Sequence, residues 1–110
     1  MYIELPEKNY YKIGEVAKAF KVNASLIRFW DKEFDILQPR KNRKGDRMFS
    51  KEDIENLKLI YRLVKEKGFT LEGAKIKLKQ EAKKVKENQS IIDKLEHIKQ
   101  ELLKIKEGLN

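Results

Sequence analysis

The sequence predicts a mainly α fold with one small β element, and three patterns in its 110 residues support this prediction. Two short stretches with helical apolar spacing are separated by a break of three residues. A basic segment rich in turn-forming residues comes next, and the last twenty residues repeat apolar side chains in steps of four and three. These patterns predict two short helices, a β-hairpin, a further helix pair and a C-terminal coiled-coil helix.

The composition narrows the class of protein. Apolar and charged residues each make up 40% of the chain, so a small core has to come from amphipathic helices. The absence of cysteine excludes disulfides, thiolate metal sites and a cysteine nucleophile. No signal peptide or membrane helix is evident, and we therefore expect a cytoplasmic protein. We expect no metal, no cofactor and no enzymatic activity, because there is one histidine and no glycine-rich phosphate loop.

The net charge of +8 is concentrated in one segment. Residues 36–50 carry five basic side chains and one acidic side chain, which is half of the excess. A concentrated patch of this kind indicates a polyanionic partner. The lysines after residue 80 are expected to be ordinary solvated surface.

The first two helices are read from their apolar spacing. In IGEVAKAF the stripe consists of Ile13, Val16, Ala17 and Phe20. The break KVN follows, and its Asn23 can cap the second helix, ASLIRFWDKEF. In that helix Leu26, Trp30 and Phe34 share one side, whereas Ser25, Arg28 and Lys32 share another. Two short helices joined by such a turn are the helix-turn-helix signature. Periodicity alone is equally consistent with a plain solvated polar face.

The basic segment ILQPRKNRKGDRMFS predicts a hairpin. Pro39 disfavours a helix, and Asn42 and Gly45 are turn residues. Apolar residues flank the basic turn on both sides, so we place the tip of the hairpin at Asn42 to Asp46. A hairpin directly after a recognition helix is a wing, and its basic tip suits contact with phosphate.

Three more helix starts are predicted downstream. Ser50 and Asp53 form a capping-box pattern, and Gly68 is a plausible end for the helix that they begin. Thr70 begins a shorter fourth helix, and Ser90 with Asp93 suggests another start. The last segment then carries an apolar heptad seam, the tail seam, made of Ile91, Leu95, Ile98, Leu102, Ile105 and Leu109. We expect this seam to pair with a second copy of the chain, and the alternative is that it folds back onto the first domain.

The segments IGEVAKAF, SLIRFWDKEF and ILQPRKNRKGDRMF, in this order, resemble the MerR family of bacterial transcriptional regulators, as does the helix pair containing LVKEKGFTLEGAKIKL. The resemblance implies a winged helix-turn-helix domain over residues 1–80 and a dimerisation helix over residues 81–110. It implies that a recognition helix at about residues 24–34 enters the major groove of double-stranded DNA. The wing at about residues 39–49 then follows the backbone or the minor groove. It further implies a homodimer through an antiparallel coiled coil, a two-fold-related operator and RNA polymerase as a possible partner at the promoter.

The candidate site residues come from the recognition helix and the wing. Arg28 is the first choice for a base-edge contact, because its forked guanidinium suits guanine or phosphate. Phe29 departs from the tyrosine common in the family and lacks its hydroxyl. Arg47 alternatively braces the hairpin against an acid. The complete DNA-binding set is Lys12, Ser25, Arg28, Phe29, Lys32, Arg40, Lys41, Arg43, Lys44 and Arg47.

Two other functions compete with a transcriptional regulator. An excisionase-like or architectural DNA-bending protein shares such a winged head but usually acts without a long dimer helix. A coiled-coil interaction adaptor would use the basic patch to meet an acidic protein and would show no preference for any DNA sequence.

Overall fold

The computed structural model describes residues 3–108 and confirms the mainly α architecture with a small wing. Its elements are β1 (Tyr10–Lys12), α1 (Ile13–Phe20), α2 (Ala24–Glu33), β2 (Arg40–Lys41), β3 (Arg47–Ser50), α3 (Lys51–Tyr61), a π-helical segment (Arg62–Glu66) and α4 (Leu71–Gly108). The chain divides into two compact units between Ala74 and Lys75, here called the head (residues 3–74) and the tail (residues 75–108). None of the helices within residues 3–108 is long and apolar enough to cross a membrane.

The predicted helix-turn-helix is formed by α1 and α2. Helix α1 buries Val16 and Phe20 completely, as its apolar stripe predicts. Helix α2 buries Trp30 as expected, but its second core residue is Ile27, whereas Leu26 is only half-buried. The register of α2 therefore differs slightly from the prediction. The core face of α2 is centred between Ile27 and Trp30, which lie about one helical turn apart on the same side of the helix.

The break between α1 and α2 contains a strained residue. Lys21 ends α1 with φ +57°, and its N–H donates to the carbonyls of Ala17 and Lys18. Non-glycine residues adopt this left-handed conformation only at a cost. Asn23 occupies the predicted cap position, but its side chain makes no capping hydrogen bond, and only its backbone carbonyl accepts from the N–H of Leu26 at 3.0 Å.

Replacing Lys21 with glycine is expected to raise the free energy of unfolding by about 1 kcal/mol, because glycine adopts a positive φ without the steric cost. Lys18→Gly is the matched control, since Lys18 is an equally exposed lysine inside α1. The control should lower stability by about 1 kcal/mol. Urea unfolding of both variants checks the prediction, and a Lys21→Gly protein no more stable than the parent would contradict it.

A three-stranded antiparallel sheet with the order β1-β3-β2 supports the wing. The prediction missed β1, whose Tyr11 pairs with Phe49 in the middle of β3. Tyr11 is buried, and its hydroxyl donates to the carbonyl of Pro6 at 2.7 Å. The sheet therefore joins the start of α1 to the wing, which sets the position of the wing relative to the helix pair.

The tip of the wing is a closed turn at the predicted residues. The N–H of Asn42 donates to the carbonyl of Asp46 at 2.9 Å. The Asn42 side-chain oxygen accepts from the N–H groups of Lys44 and Asp46, at 3.0 and 2.9 Å. Gly45 has φ +84°, which other residues rarely adopt. These bonds hold the basic tip in one conformation.

The predicted capping box at the start of α3 is confirmed. The Asp53 backbone N–H donates to the Ser50 hydroxyl, and the Asp53 carboxylate accepts from the Ser50 backbone N–H, each at 3.1 Å. Asp53 is only 4% exposed, and its other oxygen accepts from the N–H of Gln38 at 2.9 Å. The carboxylate therefore joins β3, α3 and the segment after α2. Beyond the π-helical segment, Gly68 turns the chain with φ +71°.

The prediction of separate helices at Thr70 and Ser90 is wrong in one respect. Thr70 does precede a helix, and its hydroxyl accepts from the N–H of Gly73 at 3.0 Å. That helix, α4, runs through Ser90 without a break for 38 residues. No proline or glycine occurs between Gly73 and Gly108, and the Lys-, Glu- and Ala-rich stretch before Ser90 favours helix. Asp93 accepts from the Gln89 amide at 3.0 Å instead of capping a new helix.

Within the tail, the apolar seam is open to solvent. Ile91, Leu95, Ile98, Leu102 and Ile105 are between 54% and 61% exposed. Leu109, the last member of the predicted tail seam, lies outside the described residues. In the single chain these side chains leave a continuous apolar stripe uncovered along α4, which is unfavourable in water.

Candidate nucleic-acid interface

One face of α2 is uncovered and carries the predicted recognition residues. Ser25, Arg28, Phe29 and Lys32 are all exposed. They lie at i, i+3, i+4 and i+7, which places them side by side on about two turns of the helix. This face offers a hydroxyl, a forked guanidinium, an aromatic ring and an ammonium group. No other helix of the head presents this combination.

The opposite face of α2 is held rigidly by its tryptophan. Trp30 is 1% exposed and meets the ring of Tyr61 edge-on, with 6.5 Å between the ring centroids. The centroid of the Phe20 ring lies 6.0 Å from the centroid of the same tyrosine ring. Trp30 therefore belongs to the core, and of the two adjacent aromatic residues only Phe29 faces outward. Such packing holds the outward face of α2 in a defined orientation.

Four basic side chains, each from a different element, line one cleft. Lys12 precedes α1, Arg28 lies on α2, and Lys41 and Arg47 lie on the wing. The cleft has a volume of about 570 Å³ and is also lined by two acidic residues, Glu15 and Asp46. The four basic side chains outnumber the two acidic ones, so the cleft favours an anionic ligand that neutralises the excess positive charge.

The wing is joined to α2 by an ion pair. The Nε atom of Arg47 lies 2.9 Å from a carboxylate oxygen of Asp31, whose side chain is 10% exposed. Burial raises the pKa of Asp31, and the Asp53 carboxylate adds to this effect, whereas Arg47 and Lys41 oppose it. The predicted alternative role for Arg47, bracing the hairpin against an acid, is confirmed. Arg47 also lines the basic cleft, so the pair fixes the cleft wall.

The raised pKa of Asp31 predicts a dependence of stability on pH. The folded protein holds this proton more tightly than the unfolded chain, in which aspartate has a pKa of about 3.9. The contribution of Asp31 to the free energy of unfolding is therefore fully present at lower pH and is lost as pH rises through the raised pKa.

Asp31→Asn removes this titration, and we expect the stability of the parent relative to the variant to fall with rising pH across that range. Urea unfolding of both proteins over a pH series measures the difference. Asp35→Asn is the control, because Asp35 is an exposed aspartate close to Asp31 in the sequence. Parallel pH profiles for the parent and Asp31→Asn would contradict the assignment.

The other predicted wing residues lie outside the basic cleft. Arg40 precedes Lys41 in β2, so its side chain points to the other side of the strand. It lines a separate depression with Tyr10 and Gln38. Arg43 and Lys44 are exposed at the tip of the turn. The structure therefore brings together Lys12, Arg28, Lys41 and Arg47, and leaves Arg40, Arg43 and Lys44 as separate exposed cations.

Sequence reasoning missed two of the contacts that position the interface. Asp31 is the acid that pairs with Arg47, and no pattern in the sequence identifies it. Asp53, predicted only as part of the capping box, also accepts from the N–H of Gln38 and so joins α3 to the segment after α2. The wing turn closed by Asn42 was predicted. The spacing Asn42-x-x-Gly45 was a readable signal for the turn. No spacing signals the pair between Asp31 and Arg47, which are sixteen positions apart.

Comparisons with known proteins agree with this geometry. Residues 11–81 match the family described as MerR HTH family regulatory protein. The mercuric resistance operon regulatory protein of Bacillus cereus is 38% identical over 61 residues, which cover 56% of this chain and 46% of that protein. The HTH-type transcriptional regulator ZntR of Escherichia coli K12 is 33% identical over 63 residues, covering 57% and 44%. The chain therefore spans less than half the length of these curated relatives.

Two solved structures share the architecture. A MerR family transcriptional regulator from Bacillus thuringiensis is 32% identical with a TM-score of 0.50, and the match covers 86% of this chain and 98% of that one. HiNmlR, a MerR family regulator lacking the sensor domain and solved bound to promoter DNA, has a TM-score of 0.55 and 22% identity, and the match covers 91% and 87%. The latter similarity concerns the fold alone. With the family match extending from β1 into α4, the chain belongs to the MerR family of helix-turn-helix regulatory proteins.

Proposed function

We propose that this chain is a sequence-specific transcriptional regulator that binds double-stranded DNA as a homodimer in the cytoplasm. The observation that carries the proposal is the uncovered face of α2 beside the basic cleft that α2 shares with the wing. A helix with this exposed set of side chains fits the major groove, where base edges present donors, acceptors and methyl groups. Membership of a family of regulatory proteins confirms the prediction that the chain is not an enzyme.

The wing and the start of α1 supply the backbone contacts in this proposal. Lys12, Lys41 and Arg47 surround the cleft next to Arg28. Arg43 and Lys44, on the closed turn, reach the phosphates or the minor groove beside the major-groove site. Phosphate contacts position the protein, and base contacts select the sequence. Each neutralised phosphate should lower the slope of log affinity against log salt by about 0.9.

In this proposal the tail joins the chain to a second copy of itself. Along the exposed tail seam on α4, each leucine follows an isoleucine by four residues and precedes the next isoleucine by three. In heptad notation the leucines therefore occupy position a and the isoleucines position d. In parallel coiled coils this assignment favours more than two strands. An antiparallel pair centred on Gln100 instead sets Leu95 opposite the partner's Ile105, and Ile98 opposite the partner's Leu102. The seam therefore supports an antiparallel homodimer on a two-fold-related operator. RNA polymerase at the promoter would be the third partner.

Selection of bound sites from random duplex DNA, at near-physiological salt, tests the proposed function. The full chain is used, because dimerisation through the tail brings a second head to the same DNA. A two-fold-related motif is the expected result and provides a sequence with which promoters can be searched. Salt-sensitive binding without an enriched motif would favour an architectural DNA-bending protein. No binding to DNA at any salt concentration would favour the interaction adaptor.

A further inference from the structure

We propose that Phe29 selects thymine in the operator by packing its ring against the C5-methyl group in the major groove. This inference rests on the proposed function, because it requires α2 to lie in that groove. It assigns one base identity to one side chain, and it is independent of whether the regulator activates or represses.

Phe29 is an exposed aromatic residue that does not belong to the buried core. It is 46% exposed, the highest value of any large apolar side chain in the head. The adjacent Trp30 is 1% exposed, and Ile27 is completely buried, so α2 already has its core anchors. The 46% of the surface of Phe29 that stays in water contributes nothing to the hydrophobic stability of the head. Its contact surface is therefore available to a ligand.

The surroundings of Phe29 indicate what that ligand offers. Arg28 precedes it, Ser25 lies one turn before it and Lys32 lies about one turn after it, and all three are exposed. These polar groups suit base edges and phosphates. The ring of Phe29 has no donor or acceptor, so it cannot bind a phosphate or the hydrogen-bonding edge of a base. In the major groove of unmodified DNA, the apolar group available to it is the methyl of thymine.

The position of Phe29 on the helix fits this contact. Ser25 and Phe29 are four residues apart, and Arg28 and Lys32 are also four apart, so the two pairs form parallel rows on one face. A base contacted by Phe29 should therefore be adjacent to the base or phosphate contacted by Arg28. The predicted operator half-site contains a thymine next to the position at which Arg28 acts.

Substitution of single methyl groups in the DNA tests the inference. In the duplex obtained by the selection above, each thymine is replaced in turn by deoxyuridine, which lacks only the methyl group. The parent protein should lose about three- to fivefold in affinity at one position, or at two neighbouring positions, per half-site, as expected for one methyl contact. At the same position 5-methylcytosine should bind better than cytosine.

Two variants separate a methyl contact from other roles of the ring. Phe29→Ala should bind the thymine duplex more weakly and should be indifferent to deoxyuridine at the critical position. Phe29→Leu keeps an apolar side chain and should retain part of the methyl dependence. Both variants should fold as the parent does, since Phe29 is not part of the core.

Each outcome decides the inference. A motif whose thymines can all be replaced by deoxyuridine without loss overturns the role of Phe29 and leaves the proposed function intact. A Phe29→Ala protein as sensitive to deoxyuridine as the parent overturns it as well. If the selection yields no motif, the proposed function fails and this inference fails with it.

Discussion

A chain carrying both Leu95→Asp and Leu102→Asp is expected to sediment as a monomer of about 13.1 kDa. Both leucines are 61% exposed on α4 in the single chain and would be buried in a paired seam. Burying unpaired carboxylates there costs several kcal/mol, which exceeds what a short coiled coil can offset. Affinity for a two-fold operator should fall by at least about a hundredfold, because a monomer loses the simultaneous binding of two half-sites.

The matched control places the same charge change on another face of α4. His97 and Gln100 are exposed in the tail and do not belong to the tail seam. His97→Asp with Gln100→Asp should therefore remain a dimer with nearly unchanged operator affinity. Sedimentation and DNA binding are measured on both double variants. If the Leu95→Asp, Leu102→Asp protein sediments as a dimer, the tail seam does not hold the dimer together. If the control variant loses as much dimer and operator affinity, the dimer contact is not specific to the tail seam.

Arg28→Ala is expected to lower affinity for the selected operator by about tenfold to hundredfold per half-site, as for loss of one bidentate base contact. Arg28 is exposed on α2 and has no part in the core, so the free energy of unfolding should change little. Binding to unrelated duplex DNA should weaken much less, because that binding depends on total charge.

Arg62→Ala removes the same charge elsewhere and serves as the control. Arg62 is exposed in the π-helical segment and does not line the basic cleft. Competition assays with operator and unrelated DNA measure the specificity of each variant. A folded Arg28→Ala protein that selects the same site with parental affinity shows that Arg28 has no such role.

Local patterns predicted most of the head correctly. The apolar stripe of α1, the wing turn at Asn42 to Asp46 and the capping box at Ser50 all depend on residues within one or two turns of each other. Such short-range chemistry is visible in a sequence. The same holds for the exposed face of α2, where spacing alone separates Arg28 from Trp30.

Long-range contacts could not be predicted from these local patterns. Strand β1 has three residues, and its partner β3 lies almost forty positions downstream. A segment this short acquires strand geometry only from its partner, so no periodicity could indicate it. The pair between Asp31 and Arg47 depends on the same tertiary arrangement.

In the tail, a local pattern predicted a feature that the structure does not have. A capping pattern at Ser90 predicted a break that the chain does not have, since the residues on both sides of Ser90 favour helix. Capping residues begin helices where a neighbouring segment cannot be helical. Within a continuous helical stretch they become ordinary surface positions. The seam prediction was unaffected, because it depended on period alone.

The contact between Trp30 and Tyr61 gives the chain a built-in optical reporter. Trp30 is the sole tryptophan and lies in the core of the head. Its fluorescence therefore reports on the head alone, whereas far-ultraviolet circular dichroism is dominated by the 38 residues of α4. If the two signals change together during denaturation, the head and the tail unfold as one cooperative system. If they separate at low protein concentration and the helix melts first, the proposed second copy stabilises α4, and dilution removes it while the head stays folded.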